Sequence, residues 1–205
     1  RSLEDLPPKG RVSWKGVPVA FGPQTLQKGS HILYHNNGDG TFTEVSEDAG
    51  VIDTNGYGMT AVTTDFNDDG WTDIYLACDS SASILFRNNQ DGTFTDVATQ
   101  RGLAYSTHGV AQAGMGLALG DYNGDGHLDI VKTHFADDTP GLYLNDGQSY
   151  YTDASSKAGL QAVTRHLQWG TGLVDFDNDG WPDLFYVTGN VYPEVEKVNP
   201  DYPHK

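Results

Sequence analysis

The 205-residue chain has a formal charge of −16, with 12 Lys and Arg against 28 Asp and Glu. That acidity repels nucleic acid and anionic membrane, and 37% hydrophobic residues, including 11 Tyr and 8 Phe, exclude a disordered chain. A single cysteine, Cys78, excludes an intrachain disulfide, and no stretch approaches the roughly 20 apolar residues of a membrane span. No signal peptide is visible, and a chain opening at Arg1 is expected to be a processed product or a piece of something longer.

Residues 1–30 are expected to form an irregular N-terminal arm. Pro7, Pro8, Pro18 and Pro23 break any long element, and Val17 to Phe21 reads as a short edge strand. Residues 31–190 read as repeats, and residues 191–205 as a C-terminal tail. The repeat has a fixed order. A Gly-rich strand comes first (Tyr57 to Val62, Gly114 to Leu119, Trp169 to Val174), then an acidic loop, then an apolar strand. Two outer strands follow around a polar turn: His31 to Val45, Ser83 to Val97, Gly141 to Asp153. Asn and Gly at those turns supply the positive φ that a tight hairpin needs, so Asp39, Asp91 and Asp146 read as turn formers. About four short strands in each unit, and no helix, is how a propeller blade is built. The apolar run that holds Cys78 predicts a buried, inert thiol.

The acidic loop carries the chemistry. Asp175-Phe176-Asp177-Asn178-Asp179-Gly180-Trp181-Pro182-Asp183 places side-chain oxygens at positions 1, 3, 5 and 9 and a glycine at position 6. A hard, oxygen-seeking cation needs that spacing. Alternate residues turn carboxylates inward, Gly180 allows the bend, and the carbonyl at position 7 adds an oxygen. Position 12 is Tyr186, where an EF-hand has a bidentate Glu, and Leu184 to Val187 reads as a buried strand. The loop recurs from Asp65, Asp121 and Asp175, at steps of 56 and 54 residues. The expected Ca²⁺ ligands, about one ion per loop, are Asp65, Asn67, Asp69, Trp71 and Asp73; Asp121, Asn123, Asp125, His127 and Asp129; and Asp175, Asp177, Asp179, Trp181 and Asp183. Trp71, His127 and Trp181 would contribute through their carbonyls.

The hairpins read N-x-x-D-G-T-F-T-[DE]-V, the loops D-[FY]-[ND]-x-D-G-x-x-D-[IL], and the joining strands G-M-G-L-A or G-T-G-L-V. Together these resemble the FG-GAP/VCBS repeat proteins, most closely the ASPIC/UnbV (cartilage acidic protein-like) group. The resemblance implies an all-β fold of four-stranded propeller blades with D-x-D-x-D-G calcium loops, in proteins that are secreted and usually seven-bladed. Three to four blades fit here, so two sheet edges are expected to be open, each to be filled by the rest of a larger propeller, by another chain or by copies of this one.

The expected function is that of an extracellular or cell-surface calcium-binding scaffold for adhesion, a surface layer or a fibre. The partner is a protein or another copy of the chain, and glycans are a further candidate. The alternatives are a calcium-dependent glycan-binding module, with Trp14, Trp71, Trp169 and Trp181 as stacking surfaces, or the non-catalytic part of a polysaccharide-acting enzyme. The histidines, His108, His134 and His166 among them, pair with no Ser, Cys or Glu at a catalytic spacing, so no enzyme is expected. Trp71 and Trp181 are expected to pack under a neighbouring blade.

Overall fold

A computed structural model describes residues 12–19, 22–23, 26–52, 56–162, 164–192 and 194–202. Pro7, Pro8, Phe21, Pro193 and His204 fall outside them. The regular secondary structure of the described residues is almost wholly β. Two four-stranded antiparallel sheets run in chain order. The first is β5 (Gly58–Thr64), β6 (Asp73–Cys78), β7 (Ile84–Asn88) and β8 (Phe94–Asp96). The second is β9 (Gly114–Gly120), β10 (Asp129–His134), β11 (Gly141–Asn145) and β12 (Tyr151–Asp153). Each is a complete blade.

Two half-blades flank them. Before the first blade, β3 (Tyr34–Asn36) and β4 (Phe42–Glu44) form a hairpin that matches the outer strands β7 and β8. After the second, β13 (Gln168–Val174) and β14 (Asp183–Thr188) match the inner strands. The repeat extends to irregularities: the inner pair of every unit shifts register near its start, between Gly58 and Thr60, between Lys132 and His134, and between Gln168 and Thr171.

The Gly-rich inner strands approach one another closely. A side chain at Gly116 of β9 would strike the carbonyl of Trp169 in β13, and one at Gly114 would meet the Cys78 carbonyl at 3.1 Å. Farther out, sheet faces carry the core. Phe66, Tyr75 and Leu85 of the first blade interlock with Ile130, Tyr143 and Tyr151 of the second. The outer face of the first blade buries Leu76, Ile84 and Phe86 with Ala49 and Val51, while that of the second buries Val131 and Leu142 against Leu173 and Leu184.

At one end of this layer, β1 (Val12–Trp14) and β2 (Val17–Val19) form their own hairpin. It packs on α2 (Val195–Val198), with Val17, Val19 and Val195 buried together. Val17 therefore pairs with Trp14 and not with the edge of a blade. A four-residue helix, α1 (Ala98–Arg101), forms where no helix was expected, because Gly102 (φ 79°) closes it in the left-handed region.

Candidate metal centre: three acidic hairpin loops

Each acidic loop joins the two inner strands of its unit: β5 to β6, β9 to β10, β13 to β14. The local hydrogen bonding recurs three times. The position 1 carboxylate accepts backbone N–H groups from across its own loop. Gly70, Gly126 and Gly180 donate to Asp65, Asp121 and Asp175 at 2.6, 2.8 and 2.9 Å. The position 5 carboxylate accepts from position 7, with Trp71 donating to Asp69, His127 to Asp125 and Trp181 to Asp179, each at 2.9 Å. The glycines at position 6 have φ of 86°, 88° and 92°, and position 4 is also left-handed at Asp68, Gly124 and Asn178. Only short or Cβ-free residues accept that path cheaply.

Position 9 is a clamp. One oxygen of Asp73 accepts from Phe66 at 3.2 Å and the other from Asn88 at 2.7 Å; Asp129 does the same with Tyr122 and Asn145, both at 2.9 Å. The carboxylate thus joins the start of the acidic loop to the outer hairpin. Burial is the main cause that raises the pKa of both groups, followed, among raising causes, by the charges of Asp69 and Asp65 or of Asp125 and Asp121. Asp125 moves the other way, because the His127 N–H and the Asn123 amide stabilise its ionised form.

The third loop has the densest charge. One carboxylate oxygen from each of Asp175, Asp177 and Asp183 lies within 4.8 Å of the others. No Lys or Arg among the described residues lies within 4.0 Å of them. Asp179 is not part of the trio and is turned to Trp181. In the first two loops position 3 is Asn67 or Asn123, so no trio of carboxylates forms, and the amide nitrogen donates to Asp69 or Asp125 at 3.0 or 2.8 Å. A turn of the amide would present its oxygen instead. Oxygen donors alone, crowded and without a protein cation, suit a hard divalent ion, and the residues present fit Ca²⁺.

Sequence reading missed Asn88 and Asn145, which tie position 9 to the outer strands. Their signal was the Asn that ends the strand before each hairpin turn. It also misjudged the tryptophans. Trp71 is 45% exposed and Trp181 60%. The position 7 side chains of the second and third loops reach the loop before, and neither tryptophan is buried beneath a blade. His127 lies 3.7 Å from Asp68, and the Trp181 ring packs 3.8 Å from where a Cβ would stand at Gly124. His134 is fully buried with its Nδ1 2.7 Å from the Thr139 carbonyl, and His108 is exposed.

Comparison with known proteins agrees with the repeat. A profile of the FG-GAP-like repeat matches residues 24–76 and 65–131, together more than half of the chain. Cartilage acidic protein 1 of Xenopus tropicalis is 32% identical over 119 residues, 56% of this chain and 17% of that protein. Integrin alpha-7 of Rattus norvegicus is 24% identical over 180 residues, 81% of this chain and 16% of that protein. The chain thus spans about a sixth of the length of either relative. A solved structure titled for specific recognition of non-reducing terminal N-acetylglucosamine by an Agrocybe aegerita lectin superposes with a TM-score of 0.41 and 23% identity, covering 78% of this chain and 41% of that one.

Proposed function

Because this chain belongs to the FG-GAP-like repeat family of β-propeller repeats, we propose that it is an extracellular scaffold that binds a protein partner and is held rigid by calcium. The observation that carries the reading is the loop at its three equivalent places, with three carboxylates converging in the last copy and no Lys or Arg of the described residues within 4.0 Å of them. Its relatives include an integrin alpha chain and a cartilage protein, which favours a place outside the cell. An ion in each loop would join positions 1, 3, 5 and 9, and position 9 already holds the outer hairpin in two blades. Binding would therefore brace all four strands of a blade and fix the surface that a partner meets. No helix of the described residues is long and apolar enough to cross a membrane.

Calorimetric titration with Ca²⁺ tests this. Three ions per chain are expected, with weaker binding of Mg²⁺, because a flexible loop of many oxygens suits the larger ion. No heat at millimolar Ca²⁺ would remove the metal from the account. The exposed indoles of Trp71 and Trp181 favour a second reading, calcium-dependent glycan binding. Glycan-array binding that is lost in Trp181→Ala would support it.

A further inference from the structure

The inner strands of each unit have two ends. One end carries the acidic loop, and the other lines a cavity of about 700 Å³. Met59 and Met115 reach it from the starts of β5 and β9, and Trp14 and Phe135, with ring centres 5.4 Å apart, supply an aromatic wall. That size and that apolar lining are those of a ligand pocket.

Two carboxylates also line it. Asp79 follows β6, and Asp138 lies in the turn after β10. The chain at Gln112 and Ala113 runs between the two turns: the Ser80 N–H donates to the Gln112 carbonyl at 3.1 Å, and the Ala113 N–H donates to Asp138 at 3.5 Å. Each carboxylate therefore has one oxygen in use, since Asp79 accepts from the Ser80 hydroxyl at 2.8 Å. Among the described residues no donor is hydrogen-bonded to the second oxygen of either, and no Lys or Arg lies within 4.0 Å of them. Both groups are half-buried, and burial raises their pKa; at Asp138 the charge of Lys132 offsets part of this without contact. A half-buried charge with no counter-ion costs free energy that a bound cation would offset.

The neighbouring residue shows which cation this wall holds. Asp137 has the Lys15 ammonium 2.7 Å from its carboxylate, and the same ammonium lies 4.5 Å from the centre of the Tyr202 ring. We propose that the cavity takes a lysine side chain of the protein partner, with its methylenes along the Met and aromatic walls and its ammonium on the free oxygen of Asp79 or Asp138. The proposal rests on the interaction-scaffold reading and names the chemistry of its partner. Lysine fits better than arginine. A guanidinium fork is matched to both oxygens of one carboxylate, and here one oxygen of each is taken, whereas an ammonium is a point charge that a single oxygen can hold. The formal charge of −16 also draws a basic partner towards the chain. Because the cavity lies at the strand ends away from the acidic loops, the two sites can be tested separately.

A blocked Gly-Ala-Lys-Ala-Gly peptide, titrated to about 10 mM into the calcium-loaded chain, should produce saturating NMR shifts of the Ser80, Ala113 and Asp138 amides. Norleucine in place of the lysine keeps the stem and removes the charge, and should shift none of them. Asp79→Asn combined with Asp138→Asn should weaken binding of the lysine peptide on the order of tenfold. Calcium titration of that variant should match wild type, which shows that it is folded. No shift with the lysine peptide, or equal shifts with norleucine, overturns the site. An arginine peptide that binds more tightly overturns the choice of cation, and butylammonium that binds as tightly as the peptide overturns a protein as the occupant. A chain that takes the lysine peptide but no Ca²⁺ upholds the cavity and counts against the calcium-braced scaffold.

Discussion

Lys132 is the residue whose neighbourhood is least like its chemistry. Its ammonium lies buried between the two complete blades, donating to Ser83 at 3.3 Å and Tyr75 at 3.5 Å and sitting 5.0 Å from the centre of the Tyr143 ring. Among the described residues no carboxylate lies within 4.0 Å of it. Burial pulls its pKa from 10.5 down to about 8. Between those values the unfolded chain holds a proton that the folded chain has released, so this group makes stability rise as pH climbs from about 8 towards 10.5. Cys78, pushed up to about 11 by burial, and the buried tyrosines act oppositely above about pH 9. Comparing wild type with Lys132→Met by urea unfolding at pH 7, 8 and 9 isolates the lysine. The variant should be the more stable at pH 7 and should lose the rise, and parallel curves would show that the ammonium is compensated. A lysine in a strand reads as solvated, and the sign that this one is buried lay in its equivalents in the other repeats, Leu76 and Tyr186. The inner glycines were legible. Gly116→Ala should cost roughly 1–3 kcal/mol by pushing β9 from β13, measurable as a lower urea midpoint.

At the scale of the element, the acidic loop combines two devices that substitution separates. Asp129 is buried and accepts two backbone N–H groups, so it holds the blade with or without an ion. Asp129→Asn places an amide N–H against a donor and should cost about 1–3 kcal/mol even in EDTA. Asp177 is exposed and lies in the carboxylate trio. Asp177→Asn should leave stability in EDTA unchanged within about 0.5 kcal/mol and weaken calcium affinity. Equal losses for the two variants in EDTA would argue that the loops are plain turns. The spacing of oxygens and glycine made the loop legible as one unit, since local chain geometry alone fixes it. The clamp from position 9 to Asn88 or Asn145 crosses 15 or 16 residues and depends on strand pairing, so it came only with the structure. The run Leu184 to Val187 shows the same limit. Its apolar character predicted a buried strand, yet Phe185 and Val187 are exposed because burial depends on outer strands and a following blade, and among the described residues β14 pairs with β13 alone.

For the whole molecule, the fold is a row of blades whose core lies between sheets and not within one. Each blade is stable only against its neighbours, as in other repeat architectures. The two outermost surfaces therefore carry the exposed aromatics Tyr34, Phe42, Phe176 and Phe185. The −16 charge bears on the same scale, because much of it is gathered in the three loops, where bound ions would cancel self-repulsion at the seams between strands. The repeat period and blade order were readable from the sequence; the manner in which neighbouring blades interlock was not, because it rests on shapes such as Gly102 against Tyr151.

Thermal unfolding in 2 mM Ca²⁺ and in EDTA at about equal ionic strength tests the calcium-braced blade most directly. An ion at a hundredfold excess over its Kd adds about 2.7 kcal/mol, and each 1 kcal/mol moves Tm by roughly 2–4 °C in a chain of this size. Three braced loops thus predict a rise of more than about 10 °C in calcium, reversed by chelation. The same Tm in both buffers would contradict the account and leave three hydrogen-bonded Asp-rich turns.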